Sequence, residues 1–445
     1  MPHNMIKRHI IEHGPARSGP KVAIGRAFIA VSILLSAFVF EPGVVRSQTI
    51  TFAGDADQGD QGRWAKAKVE QWSKETGIPV RYIGRPLSTT ETLMLWQQDW
   101  AAQTPDVDVY LIDVIWPAIA APHAADLAQY FTPSETGEFF SRIVQNNTVN
   151  GKLVAIPFFT DAGLLYYRTD LLEKYGFKNP PNTWAELQKM AQTIQDGERA
   201  KDKDFYGFLF QGSAYEGLTC NGLEWLASSG AGNIVEADGK ISINNPQTKS
   251  MLAMVKGWVG TISPQGVANY QEEETRNAFQ EGHAAFLRNW PYVYALANSK
   301  DSPVNGHVDV TYLPQGDGSN ASHAATLGGW QLMLSAYSKN KDAAAKLIKY
   351  MVSFETQKEN AIKLSRLPTR PAVYEDKDVL AARPWFARLR AVFDNAVARP
   401  STATGANYNK VSTDFFQTTN QILTGGISVD QGVESMESKI KRDMH

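Results

Sequence analysis

Phe159-Thr-Asp-Ala-Gly-Leu-Leu-Tyr-Tyr-Arg-Thr-Asp-Leu-Leu-Glu-Lys-Tyr-Gly176 is the stretch on which the fold turns. It opens apolar, just after Pro157, and closes as a short amphipathic helix. An unpaired carboxylate inside an apolar run is costly, so Asp161 needs a reason to be there. One reading is a structural acid satisfied by backbone donors. The other is an acceptor for ligand hydroxyls at a domain junction. Further on, Asp170 and Glu173 have the spacing of a helix N-cap with its capping box, and Gly176 stands where a helix would stop.

Other pieces follow in order: PPNTWAEL (180–187) with IQDGER (194–199), FLRNWPY (286–292), ATLGGW (325–330) and RAVFDNAVARP (390–400). Together with the opening stretch they make the chain resemble the extracellular solute-binding proteins that feed ABC sugar importers, in particular the trehalose/maltose-binding branch. The likeness runs from about Gln48 onward. It implies an α/β, two-lobe periplasmic-binding-protein fold, with a hinge of about three crossovers and a ligand cleft between the lobes. It also implies binding without turnover, with an inner-membrane ABC permease pair and its ATPase as partners.

Composition is compatible with this. The chain has 445 residues, 43% of them hydrophobic, which is ample for a core and long for one ordinary domain. A net charge of −2 offers no basic field for nucleic acid or an anionic membrane. The 11 Trp and 16 Tyr are core material, but their flat faces also stack on sugar rings. The single cysteine, Cys220, forms no intramolecular disulfide and reads as a small buried hydrophobe. A monomer without metal or cofactor is the expectation.

The first residues read as a targeting segment. Lys7, Arg8, Lys21 and Arg26 precede the apolar run Ala27 to Phe40, which is too short for a comfortable membrane span and suits a signal-peptide core. Small residues around Val45 to Ser47 place a mature start near Gln48, and Met5 is an alternative translation start. An uncleaved anchor is the competing reading. Periplasmic location follows from a cleaved signal.

Candidate site residues come from both sources. In the acidic loop Gly54 to Asp60, position 66 is Lys, not the Glu that an EF-hand places about twelve residues after its first Asp, so calcium is rejected. The resemblance assigns Asp60 as a shorter stand-in for an acidic sugar contact, and Arg85 as a donor. Asp113 ends the buried-strand pattern VDVYLI (107–112), and ligands in open α/β sheets bind beyond the carboxyl ends of strands. Trp290 precedes proline and is pushed out of helical geometry. The resemblance makes it the main stacking platform, with Tyr292 beside it; a packed hinge Trp is the plain alternative. Gly328 and Gly329 allow close backbone approach, and Trp330 is either a second platform or core. The resemblance further implicates Asp161, Tyr215, Glu216 and Arg370.

These assignments place a signal peptide at 1–47, one lobe at 48–158 and 289–334, and the other at 159–288 and 335–445. Crossovers are expected near Pro157 to Thr160, at Arg288 to Tyr292 and near Ser335 to Asn340. The ligand implied is a disaccharide, trehalose before maltose or sucrose. A solute-binding protein for a glucosylated polyol or a peptide stays open, as does a secreted glycosidase. The chain has no HExxH, GxxxxGK[ST] or GxSxG motif and no paired Cys/His spacing.

Overall fold

A computed structural model describes residues 49–57, 59–389, 392 and 395–444. The expected signal segment lies outside these residues. The strands are β1 (Ile50–Gly54), β2 (Val80–Gly84), β3 (Val109–Asp113), β4 (Thr148–Val149), β5 (Lys152–Leu153), β6 (Ala155–Ala162), β7 (Leu164–Arg168), β8 (Tyr206–Leu209), β9 (Ala284–Asn289), β10 (Val308–Thr311), β11 (Ala325–Leu334) and β12 (Ala396–Val397).

The fold is a two-lobe α/β architecture. In the first lobe, β1 pairs in parallel with β2 and β3, and the connections between them are helices, Asp60–Thr76 and Thr89–Ala101. β11 then runs antiparallel to both β3 and β6, with Trp330 opposite Asp113 and Gly328 opposite Asp161. The helix Asp60–Thr76 forms because Trp64, Ala65, Lys68, Val69 and Trp72 line one stripe at helical spacing. Gly77 ends it at φ 73°, donating its amide to the Ser73 carbonyl. Trp96, Trp100 and Trp116 complete this core, fully buried. Each such indole contributes on the order of 1.5–3 kcal/mol or more through burial.

The second lobe carries a sheet of order β10-β7-β9-β8, over a core containing Trp184, Trp225 and Trp258. Its helix Trp184–Glu198 starts with the expected capping box of Thr183 and Glu186. Among the described residues no helix is long and apolar enough to cross a membrane.

The crossings differ from the expected ones. β6 remains in the first sheet through Ala162, and β7 begins the second sheet at Leu164. The chain therefore passes between lobes at Gly163, a few residues after Pro157–Thr160. A Cβ at Gly163 would lie 2.0 Å from Glu224 Oε1, so the buried Arg288–Glu224 pair demands glycine there. Residues 289–313 do not return to the first lobe: Val293, Ala297, Val304 and Val310 pack in the second core, and β10 pairs with β7. The return comes between β10 and β11. Ser335 to Asn340 is not a crossing either. Ser335 and Ser338 bond Asp108, and Ala344, Leu347 and Ile348 of the next helix fill the first core. The third crossing follows the helix Lys341–Met351, since Ala361 and Leu367 belong to the second core. Asp170 also departs from expectation. It sits inside the helix Thr169–Lys174, held bidentately by Arg168, which is the N-cap residue.

Candidate functional site

Between the lobes lies a cleft of about 820 Å³. Asp60, Arg85, Asp113, Asp161, Glu216, Trp290, Tyr292, Gly328, Gly329 and Trp330 all line it. Strand pairing explains the convergence. Asp113 and Asp161 both stand opposite the Gly328–Trp330 segment of β11, one on each side. Gly329 adopts φ +124°, and a Cβ there would meet the Phe159 carbonyl at 2.6 Å. A Cβ on Gly328 would stand 3.2 Å from both Asp161 Cβ and the Trp290 ring. The two glycines thus let the indole and the acid close over the strand.

Asp161 has no hydrogen-bond partner for its carboxylate among the described residues, and it is half-buried at the cleft surface. Burial pushes its pKa up to about 8; the Arg366 guanidinium opposes this, while Asp113 and Asp55 reinforce it.

Trp290 is held from several directions. Its Nε1 donates to Glu272 at 3.2 Å, and its carbonyl accepts from the Tyr166 hydroxyl at 2.8 Å. The Arg288 guanidinium lies 4.0 Å from the ring centre and is itself buried against Glu224. Tyr292 donates its hydroxyl to Glu273 at 2.6 Å. Trp330 is different. Only 8% exposed, it has Arg85 over its ring at 4.0 Å and the edge of Trp116 at 5.5 Å.

Some candidates are already engaged. Arg399 donates to Asp113 Oδ1 at 2.7 Å and to Glu216 Oε1 at 2.8 Å. Glu216 also accepts from Tyr408 and from Ser412, so both its oxygens are occupied within the chain. Burial holds its carboxyl above the usual range, with Arg399 opposing. Glu216, which the resemblance implicated as a ligand contact, is therefore engaged as an internal ion-pair partner. Asp60 sits on the rim, paired with Arg63.

Two candidates lie off the cleft lining. Tyr215 is buried, with its hydroxyl donating to Glu272 at 2.6 Å. Arg370 points away: its Nε donates to the Val352 carbonyl at 2.7 Å, and it stacks 4.3 Å over Phe139 while pairing with Glu138. Arg366, four residues earlier in LSRLPTRP, occupies the cleft instead. It pairs with Asp55 at 2.8 Å and lies 3.9 Å over the Phe159 ring.

Asp55, Phe159, Cys220, Glu272, Arg366 and Arg399 are cleft residues that sequence reasoning did not assign. Asp55 could have been found, because it follows β1 directly, as Asp113 ends β3. Arg399 stands in the quoted piece RAVFDNAVARP, but nothing there points to Asp113, 286 residues away. Cys220 is buried, as expected, and burial pushes its thiol pKa up. Among the described residues no cluster of His, Cys, Asp and Glu could hold a metal ion.

Residues 55–358 match the sequence profile of the bacterial extracellular solute-binding proteins. The chain belongs to that family. A probable ABC transporter-binding protein of Deinococcus radiodurans is 46% identical over 94% of this chain and 98% of its own length. Among solved structures, maltose-bound MalE3 of T. maritima superposes with a TM-score of 0.83 at 39% identity, covering 88% of this chain and 99% of its own. A solute-binding protein of Agrobacterium vitis with bound D-mannitol shares the fold, with a TM-score of 0.75 at 23% identity over 89% of this chain and 98% of its own.

Proposed function

We propose that this solute-binding protein captures an α-linked glucose disaccharide, trehalose or maltose, in the interlobe cleft and presents it to an inner-membrane ABC permease. The observation that carries the reading is the pairing of an unpartnered carboxyl, Asp161, with the Trp290 indole across Gly328. A pyranose ring offers an apolar C–H face and equatorial hydroxyls. The indole accepts the first, and Asp161 the second. The maltose-bound relative at 39% identity supports a disaccharide of glucose. The resemblance to the trehalose/maltose branch makes trehalose the first choice, then maltose, then sucrose.

Asp161 is the acceptor, Trp290 the stacking surface and Tyr292 a flanking contact. Asp113 presents its Oδ2, with its other oxygen on Arg399. Asp55, Arg85 and Arg366 form the first-lobe wall, where Asp55 Oδ1 and the Nε atoms of Arg85 and Arg366 lack hydrogen-bond partners. Hydrogen bonds to charged groups are worth about 1.5–3 kcal/mol each. Two or three with one stacking contact reach roughly micromolar affinity, about 8 kcal/mol. The crossings would act as the hinge on which the lobes close over the sugar. Secretion to the periplasm through a cleaved signal peptide belongs to the same reading.

Calorimetric titration of the protein from Gln48 with trehalose, maltose, sucrose, mannitol and a peptide mixture tests this. Binding of trehalose or maltose, abolished in Asp161→Ala, is expected. Binding of mannitol or peptide alone would overturn the disaccharide reading.

A further inference from the structure

The cleft is lined by the consecutive acids Glu272 and Glu273, which open the helix Glu272–Gln280. Acids in a sugar cleft invite assignment as hydroxyl acceptors, but the geometry points elsewhere. Glu272 Oε1 accepts from Trp290 Nε1 at 3.2 Å, and Oε2 accepts from the Tyr215 hydroxyl at 2.6 Å. Glu273 Oε1 accepts from the Tyr292 hydroxyl, and Oε2 from the Arg276 guanidinium. The backbone joins in: the Glu272 carbonyl accepts from the Asn289 side chain, whose Oδ1 receives the Trp290 amide at 2.8 Å. The first turn of this helix is a bracket that grips the side chains of Asn289, Trp290 and Tyr292.

We propose that Glu272 is a positioning residue that sets the plane of the Trp290 indole for stacking and does not itself bond the sugar. The inference rests on the sugar-binding reading of the cleft. An indole has a single polar atom, Nε1, so one acceptor decides its rotation about the side-chain bonds. Arg288 stacks behind the ring at 4.0 Å and supports one face, but it bonds no atom of the indole, so the in-plane rotation is left to Glu272. Tyr215, the sequence candidate that falls off the cleft lining, gains a role here: its hydroxyl fixes the second oxygen of Glu272. The order from core to cleft is Tyr215, Glu272, Trp290, sugar. Glutamine in place of Glu272 keeps one oxygen for Nε1, and its amide can donate to the Tyr215 hydroxyl.

The experiment uses Glu272→Gln and Glu272→Ala, alone and combined with Trp290→Phe, whose ring lacks a polar atom. Sugar affinity is expected to fall about tenfold in Glu272→Ala, the size of one lost hydrogen bond to a charged group, and less than about threefold in Glu272→Gln. In the Trp290→Phe background the alanine change is expected to have little further effect, since interacting residues are non-additive. Equal losses in the glutamine and alanine variants, or an undiminished loss beside Trp290→Phe, would overturn the proposal in favour of direct contact. A second readout needs no sugar. In protein labelled with 5-fluorotryptophan, the ¹⁹F resonance assigned by its loss in Trp290→Phe should shift in Glu272→Ala and hold in Glu272→Gln. An unmoved resonance in the alanine variant would overturn the positioning role. A shifted resonance in a protein that binds no sugar would keep the bracket and refute the disaccharide reading.

Discussion

Trp290 and Trp330 both reach the cleft, and each has a guanidinium 4.0 Å from its ring. They are built for different work. Behind Trp290 the guanidinium is Arg288, buried in the second lobe and neutralised by Glu224, so the ring keeps its cleft exposure. Over Trp330 it is Arg85, itself a cleft residue, and Trp116 closes the edge. One ring keeps a face open to the cleft. The other is the end of the first-lobe core, covered by a cation that faces the cleft in its place. The difference shows that what lies over a ring, and not its nearness to the cleft, decides whether it is available.

The largest effect expected is on folding. Arg399 spans the lobes by holding Asp113, at the end of β3, and Glu216, at the start of a second-lobe helix. Removing it leaves two buried carboxylates uncompensated, which costs about 3–5 kcal/mol. Arg399→Ala should lower the denaturant midpoint accordingly, in unliganded protein. A change below about 1 kcal/mol would mean that the carboxylates find water, and that the lobes do not depend on this clamp.

The two tryptophans should then separate cleanly. Trp330→Ala opens a core cavity and should cost about 3–5 kcal/mol of stability. Trp290→Ala should cost far less stability but weaken sugar binding roughly 100-fold, as loss of a stacking face and its order predicts. Denaturant midpoints and titrations on both variants check this. If Trp330→Ala folds normally and loses sugar, the comparison above is reversed.

Much of this was legible in the sequence. Capping boxes, the alternation of strand and helix, and the Gly-Gly-Trp and Trp-Pro pieces are local signals, but most of the cleft candidates came from the family resemblance. The lobe boundaries were not, because β10 is four residues long and pairs with β7 from 140 residues away, Val308 against Arg168. A short strand with its partner so distant leaves no mark on its own sequence. Glu216 illustrates a second gap. Its position at a helix start is visible, but the three groups that saturate it come from 399–412.

Asp161 gives the same contrast among carboxylates, read through pH. Its folded pKa, about 8, exceeds the unfolded value of about 3.9. Between those pH values the native state holds a proton that the unfolded chain has released. Stability of the unliganded protein therefore falls as pH rises from about 4 to about 8 and levels above it. Asp161→Asn should flatten that component of the profile. If sugar hydroxyls donate to the ionised form, affinity should rise with pH towards 8, and binding should release a proton, read from the buffer dependence of the calorimetric enthalpy. A profile unchanged by Asp161→Asn would move the acceptor role elsewhere.

The smallest expected effect separates the two arginines of LSRLPTRP. Arg370 serves a first-lobe surface, over Phe139 and against Glu138, and its Nε closes on the Val352 carbonyl. Arg366 is buried beside Asp55, with its Nε buried and unpartnered. Arg370→Ala should leave sugar affinity within about twofold and cost about 1 kcal/mol of stability, since its ion-pair partner is exposed and its carbonyl bond is one of several contacts. Arg366→Ala should lose affinity at least tenfold, because a cleft cation is gone and buried Asp55 keeps only the more distant Arg85, at 3.8 Å. Equal losses in the two variants would mean that Arg370 swings into the cleft when the lobes close, which would make its stacking on Phe139 a resting position and restore the role the sequence reading first assigned to it.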